Sequence, residues 1–421
     1  MTLDPDVLVV GAGPAGAAAA IHLTRAGRRV LVVDRARFPR DKVCGDGLTT
    51  GALRHLEALG LDRTEVASWR EVDEMRVVAP SGAVRPLPFP RGLGTFAAVA
   101  RRVDLDAALV ERARAEGAEV HDGHAVVDAR VERGGVVAEV EGLGEVRAAH
   151  VIGADGTWSP LRRHLGLAVP GYRGDCHAFR QYLVGTGPTA EEALWVWFEE
   201  DLLPGYAWSF PLGDGTVNVG FGIHRNGRMA VGDMGDAWRS ILRRPVVTRV
   251  LGDAWEAEGP PRAWPIPARV GRLPLASGPA LFVGDAAAAC DPMSGEGIGQ
   301  ALETAALATE AITAGGGTDA VAARYERTVR AGLARDNRMA EWVLPLLRSR
   351  RGAEAAVRIS GSTPWVRRNF ARWLFEDYPR ALVLTPRRWH RGAFTGPGAW
   401  VTPGVGGKPL PVAPHRPTRP T

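Results

Sequence analysis

Lysine is nearly missing from this 421-residue chain: Lys42 and Lys408 stand beside 50 arginines. No block of basic residues interleaves with aromatics, so the formal charge of +5 shows no nucleic-acid module and no nucleic-acid partner is expected. Cysteine is scarce as well. Cys44, Cys176 and Cys290 form no CxxC pair and no histidine cluster has ligand spacing, which argues against a disulfide framework and a metal site. That usage points to a reducing, cytoplasmic compartment. No stretch approaches ~18 uninterrupted apolar residues, and no charged leader with a cleavage site opens the chain. Any membrane contact is therefore expected to be peripheral, at the inner face. Hydrophobic content of 45% with 24% charged residues suits a globular protein, and the length allows two interleaved domains.

Glycine is plentiful, and three glycine-rich segments carry the argument. The first follows the apolar run Val7-Leu8-Val9-Val10, suited to a buried parallel strand. Gly11 turns the chain, Gly13 lets the backbone approach a pyrophosphate, and Ala15 and Gly16 open a helix over about 14–26. Free amides and the helix dipole favour an anion at that start. Gly27 suits the helix's C-terminal end. A second strand, Val30 to Val33, ends in Asp34, beside Arg35, where a carboxylate would accept hydrogen bonds from an adenosine ribose. An adenine dinucleotide is implied, whether FAD or NAD.

The second segment, Val151 to Arg162, reads as strand, tight turn at Asp155-Gly156 and helix start, with Ser159 as cap ahead of Pro160. The third is the strand Leu281-Phe282-Val283 ending in Gly284-Asp285. Its loop runs through Pro292, Gly295 and Glu296 to Gly297 and Ile298, opening a helix over about 297–314. That helix start is expected to face the pyrophosphate or the negative edge of a flavin. Glu296 reads equally as a cap-region acid or a pocket group.

These three motifs in this order resemble the p-hydroxybenzoate-hydroxylase-type flavoprotein superfamily, over about residues 5–330. The resemblance implies bound FAD, an arginine near the flavin at Arg102 and a substrate site under a β-sheet domain. Lys42-Val43-Cys44-Gly45-Asp46-Gly47 resembles the geranylgeranyl reductase family, in which the cysteine lies close to the flavin. Tyr206-Ala207-Trp208-Ser209-Phe210-Pro211 is similar to that family's Tyr-x-Trp-x-Phe-Pro motif, which lines a prenyl cavity; Leu203 stands where many members have proline. On a strand, Tyr206, Trp208 and Phe210 share one face. The resemblance thus implies Cys44, Tyr206 and Trp208 as catalytic. It implies Tyr206, Trp208, Phe210 and Pro292 as the substrate pocket. Gly11, Gly13, Ala15, Gly16, Asp34, Arg35, Lys42, Cys44, Gly45, Arg102, Asp155, Gly156, Gly284, Asp285, Gly295, Gly297 and Ile298 would then hold the cofactor. Trp195-Val196-Trp197 lacks the Ile-Pro that follows in tryptophan halogenases and reads as strand alternation.

The expected architecture is α/β: a Rossmann-like FAD-binding domain of three-motif type (1–70, 99–174 and 276–330) interleaved with a mixed β-sheet substrate domain (71–98 and 175–275). Strands are expected at 74–79, 178–185, 194–199 and 217–222. A C-terminal helical region follows over 331–394. It carries 11 arginines against 4 acids between 341 and 391, with tryptophans interspersed, a pattern compatible with a membrane interface or a solvated basic face. Residues 395–421 hold seven prolines and are expected to be disordered. The resulting expectation is an oxidoreductase that reduces C=C bonds of a prenyl lipid, diphosphate or quinone, with NAD(P)H or a separate donor as reductant. The alternative is an NAD(P)H-dependent flavin monooxygenase acting on an aromatic or polyketide-like molecule.

Overall fold

A computed structural model describes residues 3–390, 394 and 396–401. At its centre Val7–Val10 pairs in parallel with Val30–Asp34 on one side and His150–Gly153 on the other. Glu119–Asp122 extends the sheet beyond Val30–Asp34. Ala280–Phe282 and a short antiparallel strand, Ala276–Ser277, extend it beyond His150–Gly153. The three innermost strands are apolar and buried except at their ends, Asp34 and His150, because helices screen them from water. The helix Pro14–Arg25 packs against Arg102–Ala115 and Ile298–Thr313. It ends where expected: Gly27 follows its last residues at a φ of 75° and donates to the Thr24 carbonyl.

A second, seven-stranded sheet runs in the order Glu256–Ile266, Cys176–Val184, Thr216–His224, Tyr206–Gly213, Leu194–Trp197, Glu74–Val78, Val84–Pro88. Its pairs are antiparallel except Leu194–Trp197 with Glu74–Val78, so the sheet is mixed. All four strands expected in this region form. The long strand Glu256–Ile266 was not legible, because Pro260 and Pro261 interrupt it; it lies at the sheet edge, where a residue without an N–H costs no ladder bond.

Two smaller antiparallel sheets of three strands each join them, one of Val126–Glu132, Gly135–Val140 and Gly144–Ala148 and one of Gly47–Leu48, Ala98–Val99 and Arg70–Glu71. The C-terminal stretch is helical, as Thr318–Ala331, Leu333–Leu347, Arg350–Ser360 and Pro364–Leu374. None of the described helices is long and apolar enough to cross a membrane. The expected disorder from 395 onward is corrected over 396–401. Ala399 is buried and exchanges backbone bonds with Thr95, Gly398 donates to the Leu93 carbonyl, and Trp400 donates from its backbone to Glu57 and meets Trp69 edge-on. The apolar pair Ala399 and Trp400 anchors what composition alone marked as loose. Residues 402–421, which held the rest of that expectation, lie outside the described residues.

Candidate cofactor and substrate cavity

One cavity of about 890 Å³ draws its walls from all three glycine-rich segments, the second sheet and the C-terminal helices. Gly11 has a φ of 102°, and a Cβ there would lie 2.3 Å from the Ala154 carbonyl oxygen, so the first and second turns touch backbone to backbone. Asp34 accepts from the Ala12 amide at 2.7 Å and the Ala36 amide at 2.8 Å, which ties the second strand's end to the turn. Gly13 begins the helix Pro14–Arg25 with no side-chain cap, and Gly13, Pro14 and Ala15 line the cavity. Amides there are left for an anion. Gly16, expected among the cofactor residues, does not line the cavity. A Cβ on Gly16 would stand 1.7 Å from the Gly11 carbonyl oxygen, so its role is to let helix and turn pack.

In the second segment Ser159 caps the helix Pro160–His164, accepting from the Arg162 amide, as expected. Asp155 accepts from the Leu161 amide at 2.9 Å through Oδ2, while its buried Oδ1 has no hydrogen-bond partner among the described residues although Asp155 lines the cavity. Asp285 accepts from Thr157 at 3.2 Å, and Lys42 Nζ sits 3.9 Å from it and 4.2 Å from the centre of the Trp264 ring. Burial lowers the Lys42 ammonium's affinity for its proton, an effect that Asp285 opposes. Arg102 is buried and paired with Asp106 through two bonds of 2.7 Å; Arg40 joins the same carboxylate at 2.8 Å. The uncapped helix start, the orphaned Asp155 oxygen and a chamber of this size together fit an FAD.

At the start of the helix Ile298–Thr313 the amides meet a side chain of the chain itself. Glu296 Oε1 accepts from the Ile298 amide at 3.1 Å and the Gly299 amide at 3.0 Å, so the first amides hold a carboxylate of the chain itself. Glu296 nonetheless lines the cavity, so it is both cap and pocket group. Burial raises its carboxyl to about 7, against the pull of those two amides. Behind it lies a buried ionic cluster. Arg380 Nε is 2.9 Å from Asp291 and its NH2 is 3.3 Å from Glu376, while Gln300 donates to Glu376 at 2.8 Å. Burial also pushes the Glu376 carboxyl well up.

Tyr206, Trp208 and Phe210 form the expected row, with ring centres 6.1 and 6.3 Å apart. The row packs on the Cys44 loop. A Cβ on Gly45 would lie 3.5 Å from the Trp208 ring, and one on Gly47 3.2 Å from Phe210. Asp46 between them has a φ of 62° and is fully buried. It accepts from Tyr182 Oη at 2.6 Å and Asn218 Nδ2 at 2.8 Å; Asn218 also donates to the Cys44 carbonyl and accepts from Trp208 Nε1 at 3.0 Å. Burial lifts the Asp46 carboxyl to about 6. It also pushes the Cys44 thiol up, so Cys44 is a neutral thiol at neutral pH. Tyr206 reaches across to donate to the Ser294 carbonyl of the third segment.

Apart from Gly16, every residue assigned to the site from sequence lines this cavity, Pro292 included. Sequence reasoning missed Asp46, Asn218 and Tyr182, and the wall contributed by Val343, Leu347, Val357, Phe370 and Leu374. One signal was available: Asn218 is the lone polar side chain in the strand core Val217-Asn218-Val219, where a buried amide needs partners.

The model of the family described as FAD binding domain matches residues 4–331. Menaquinone reductase of Mycolicibacterium smegmatis is 37% identical over 339 residues, 76% of this chain and 79% of its own length. Digeranylgeranylglycerophospholipid reductase 2 of Methanopyrus kandleri is 33% identical over 321 residues, 72% of this chain and 76% of its own. Among solved structures, a geranylgeranyl bacteriochlorophyll reductase-like protein from Thermoplasma acidophilum superposes with a TM-score of 0.75 at 22% identity, over 92% of this chain and all of that one. CmlS, a flavin-dependent halogenase, superposes at 0.66 with 24% identity, over 88% of this chain and 67% of its own. These two likenesses speak to the fold.

Proposed function

Because the chain belongs to the FAD-binding-domain family, as a geranylgeranyl-reductase-like, FAD-dependent oxidoreductase, we propose that it reduces carbon–carbon double bonds of a prenyl chain carried by a lipid, a diphosphate or an isoprenoid quinone. The observation that carries this reading is the cavity's composition. Nucleotide-binding turns line part of it, and Tyr206, Trp208, Phe210, Leu194 and Val196 line another part with aromatic and aliphatic surface. The names of the relatives above refer to menaquinone and to digeranylgeranylglycerophospholipid, and both molecules carry such chains.

Gly11, Gly13 and Ala15 would hold the pyrophosphate, Asp34 and Arg35 the adenosine end, and Asp155, Asp285 and Lys42 the remainder of the FAD. The chemistry a bound, reduced FAD would bring to this cavity is hydride donation to one carbon of the double bond. The aromatic row orients the chain and keeps water from it. Glu296 is close enough to influence both the Cys44 thiol and the Tyr206 hydroxyl, and it holds a proton at its carboxyl near neutral pH. It is the group we assign to protonate the other carbon. Cys44 shapes the pocket as a neutral thiol. The segments 1–70, 99–174 and 276–330 would form the cofactor domain and 71–98 with 175–275 the substrate domain, a division that sheet membership supports. Either NAD(P)H or a separate protein would supply electrons.

The test is anaerobic. Enzyme reduced with dithionite and incubated with geranylgeranyl diphosphate, a geranylgeranylated glycerolipid or a menaquinone should give products heavier by pairs of hydrogens in mass spectrometry. Absence of any mass gain, together with O2-dependent hydroxylation of an aromatic compound, would favour the monooxygenase reading instead.

A further inference from the structure

The helices Leu333–Leu347, Arg350–Ser360 and Pro364–Leu374 together cover one side of the cavity. Each sends side chains inward: Val343 and Leu347, Ala353 and Val357, Phe370 and Leu374. Each also leaves large apolar groups on the outside. Trp342 is 71% exposed, Leu346 66%, Ile359 64% and Trp365 72%. Seven of the twelve large hydrophobics exposed among the described residues fall between Trp342 and Trp389. Surface tryptophans concentrated in one short stretch mark an interaction surface.

Charge identifies what covers it. Residues 341–391 hold eleven arginines and four acids, a surplus of seven in a chain of +5, so the rest of the chain is slightly acidic. The acids of this stretch are occupied within the fold. Glu341 pairs with Arg272, Glu354 binds Ser81, Asp377 pairs with Arg372 and Arg54, and Glu376 pairs with Arg380. Arg351, Arg358, Arg367 and Arg368 make no ion pair among the described residues. A symmetric dimer through this surface would set the same positive charges against each other, which disfavours a second copy as the occupant. Indoles and aliphatic groups beside unpaired guanidinium groups suit the headgroup region of an anionic bilayer. There the rings enter the acyl boundary and the arginines meet lipid phosphates.

We propose that this three-helix cover docks the protein on an anionic lipid surface, so that a chain anchored in the bilayer reaches the cavity from that side. The docking stands apart from the chemistry; only the delivery of substrate rests on the prenyl reading. Oxidised holoenzyme, with no substrate, is sedimented with vesicles of phosphatidylcholine alone or with phosphatidylglycerol added. Affinity should be at least about tenfold higher for the anionic vesicles and should fall with added salt. Brominated lipid should quench tryptophan fluorescence.

In the double variant Trp342→Ser, Trp365→Ser, vesicle affinity should drop about tenfold and quenching should weaken, at an unchanged melting temperature. Turnover of a prenyl substrate dispersed in detergent should persist in that variant, while turnover of the same substrate in vesicles falls. Wild-type enzyme that stays in the supernatant with anionic vesicles would overturn the proposal. So would a solution dimer that the double variant breaks. The vesicle assay needs no turnover, so it remains readable even if the prenyl reading fails.

Discussion

Asp46 and Glu296 are carboxyls that the fold removes from water while leaving them beside the cavity, and each keeps its proton to a higher pH than a free side chain. The direction sets a testable sign. A group whose folded carboxyl titrates above its ordinary value contributes stability that is complete below that ordinary value and is lost as the pH rises through the folded one. For Glu296 the window runs from its ordinary 4.5 to about 7. The variant Glu296→Gln should therefore lose less stability than the wild type between those two pH values, by about 2 kcal/mol or less because the side chain is only half-buried. Paired thermal melts at each pH read this difference. If Glu296 is also the proton source, the variant should bind FAD normally and lose about 10²-fold or more in turnover, without the fall in rate above pH 7 expected of the wild type. Equal melting curves would remove the buried-proton argument.

At the scale of elements, the pair Tyr206–Gly213 and Thr216–His224 sets the aromatic row. Alternation along the strand was enough to put Tyr206, Trp208 and Phe210 on one face, and Gly213-Asp214-Gly215 to mark the turn, where all three residues have positive φ. Register was not legible. It places Trp208 opposite Gly220, where a Cβ would stand 2.3 Å from both the indole and the Phe179 carbonyl oxygen. Gly220→Ala should therefore cost about 1–3 kcal/mol and shift the indole from the Cys44 loop. A lowered melting temperature with an altered flavin absorption envelope checks both parts. The helix starts follow the same pattern: the cap at Ser159 is local and was readable. Glu296's occupation of the amides of the helix Ile298–Thr313 was one of two readings that local sequence left open.

At the scale of the molecule, the cavity exists only because residues from 10 to 375 close around it. FAD should thus act as a staple. Stripping it should lower the melting temperature, and restoring it at a hundredfold excess over its dissociation constant should return about 2.7 kcal/mol. Asp155→Asn, which alters the carboxylate carrying the orphaned oxygen, should weaken that recovery. The uneven charge belongs to this scale too, since a modest total of +5 conceals a basic cover on a slightly acidic remainder.

The sequence by itself determined the cofactor class, the three-motif order and the mixed α/β plan. Those depend on local demands: glycine where φ is positive or backbones touch, apolar runs where strands are buried, and caps where helices begin. Only the tertiary structure joined Asp46 to Asn218 and Tyr182, 172 and 136 residues away, and set the Arg380–Glu376 pair behind the half-buried Glu296. It also laid the C-terminal helices over the cavity and folded 396–401 back onto Thr95. Desolvation and long-range pairing are properties of what surrounds a residue after folding, and they leave no periodicity for a local pattern to reveal.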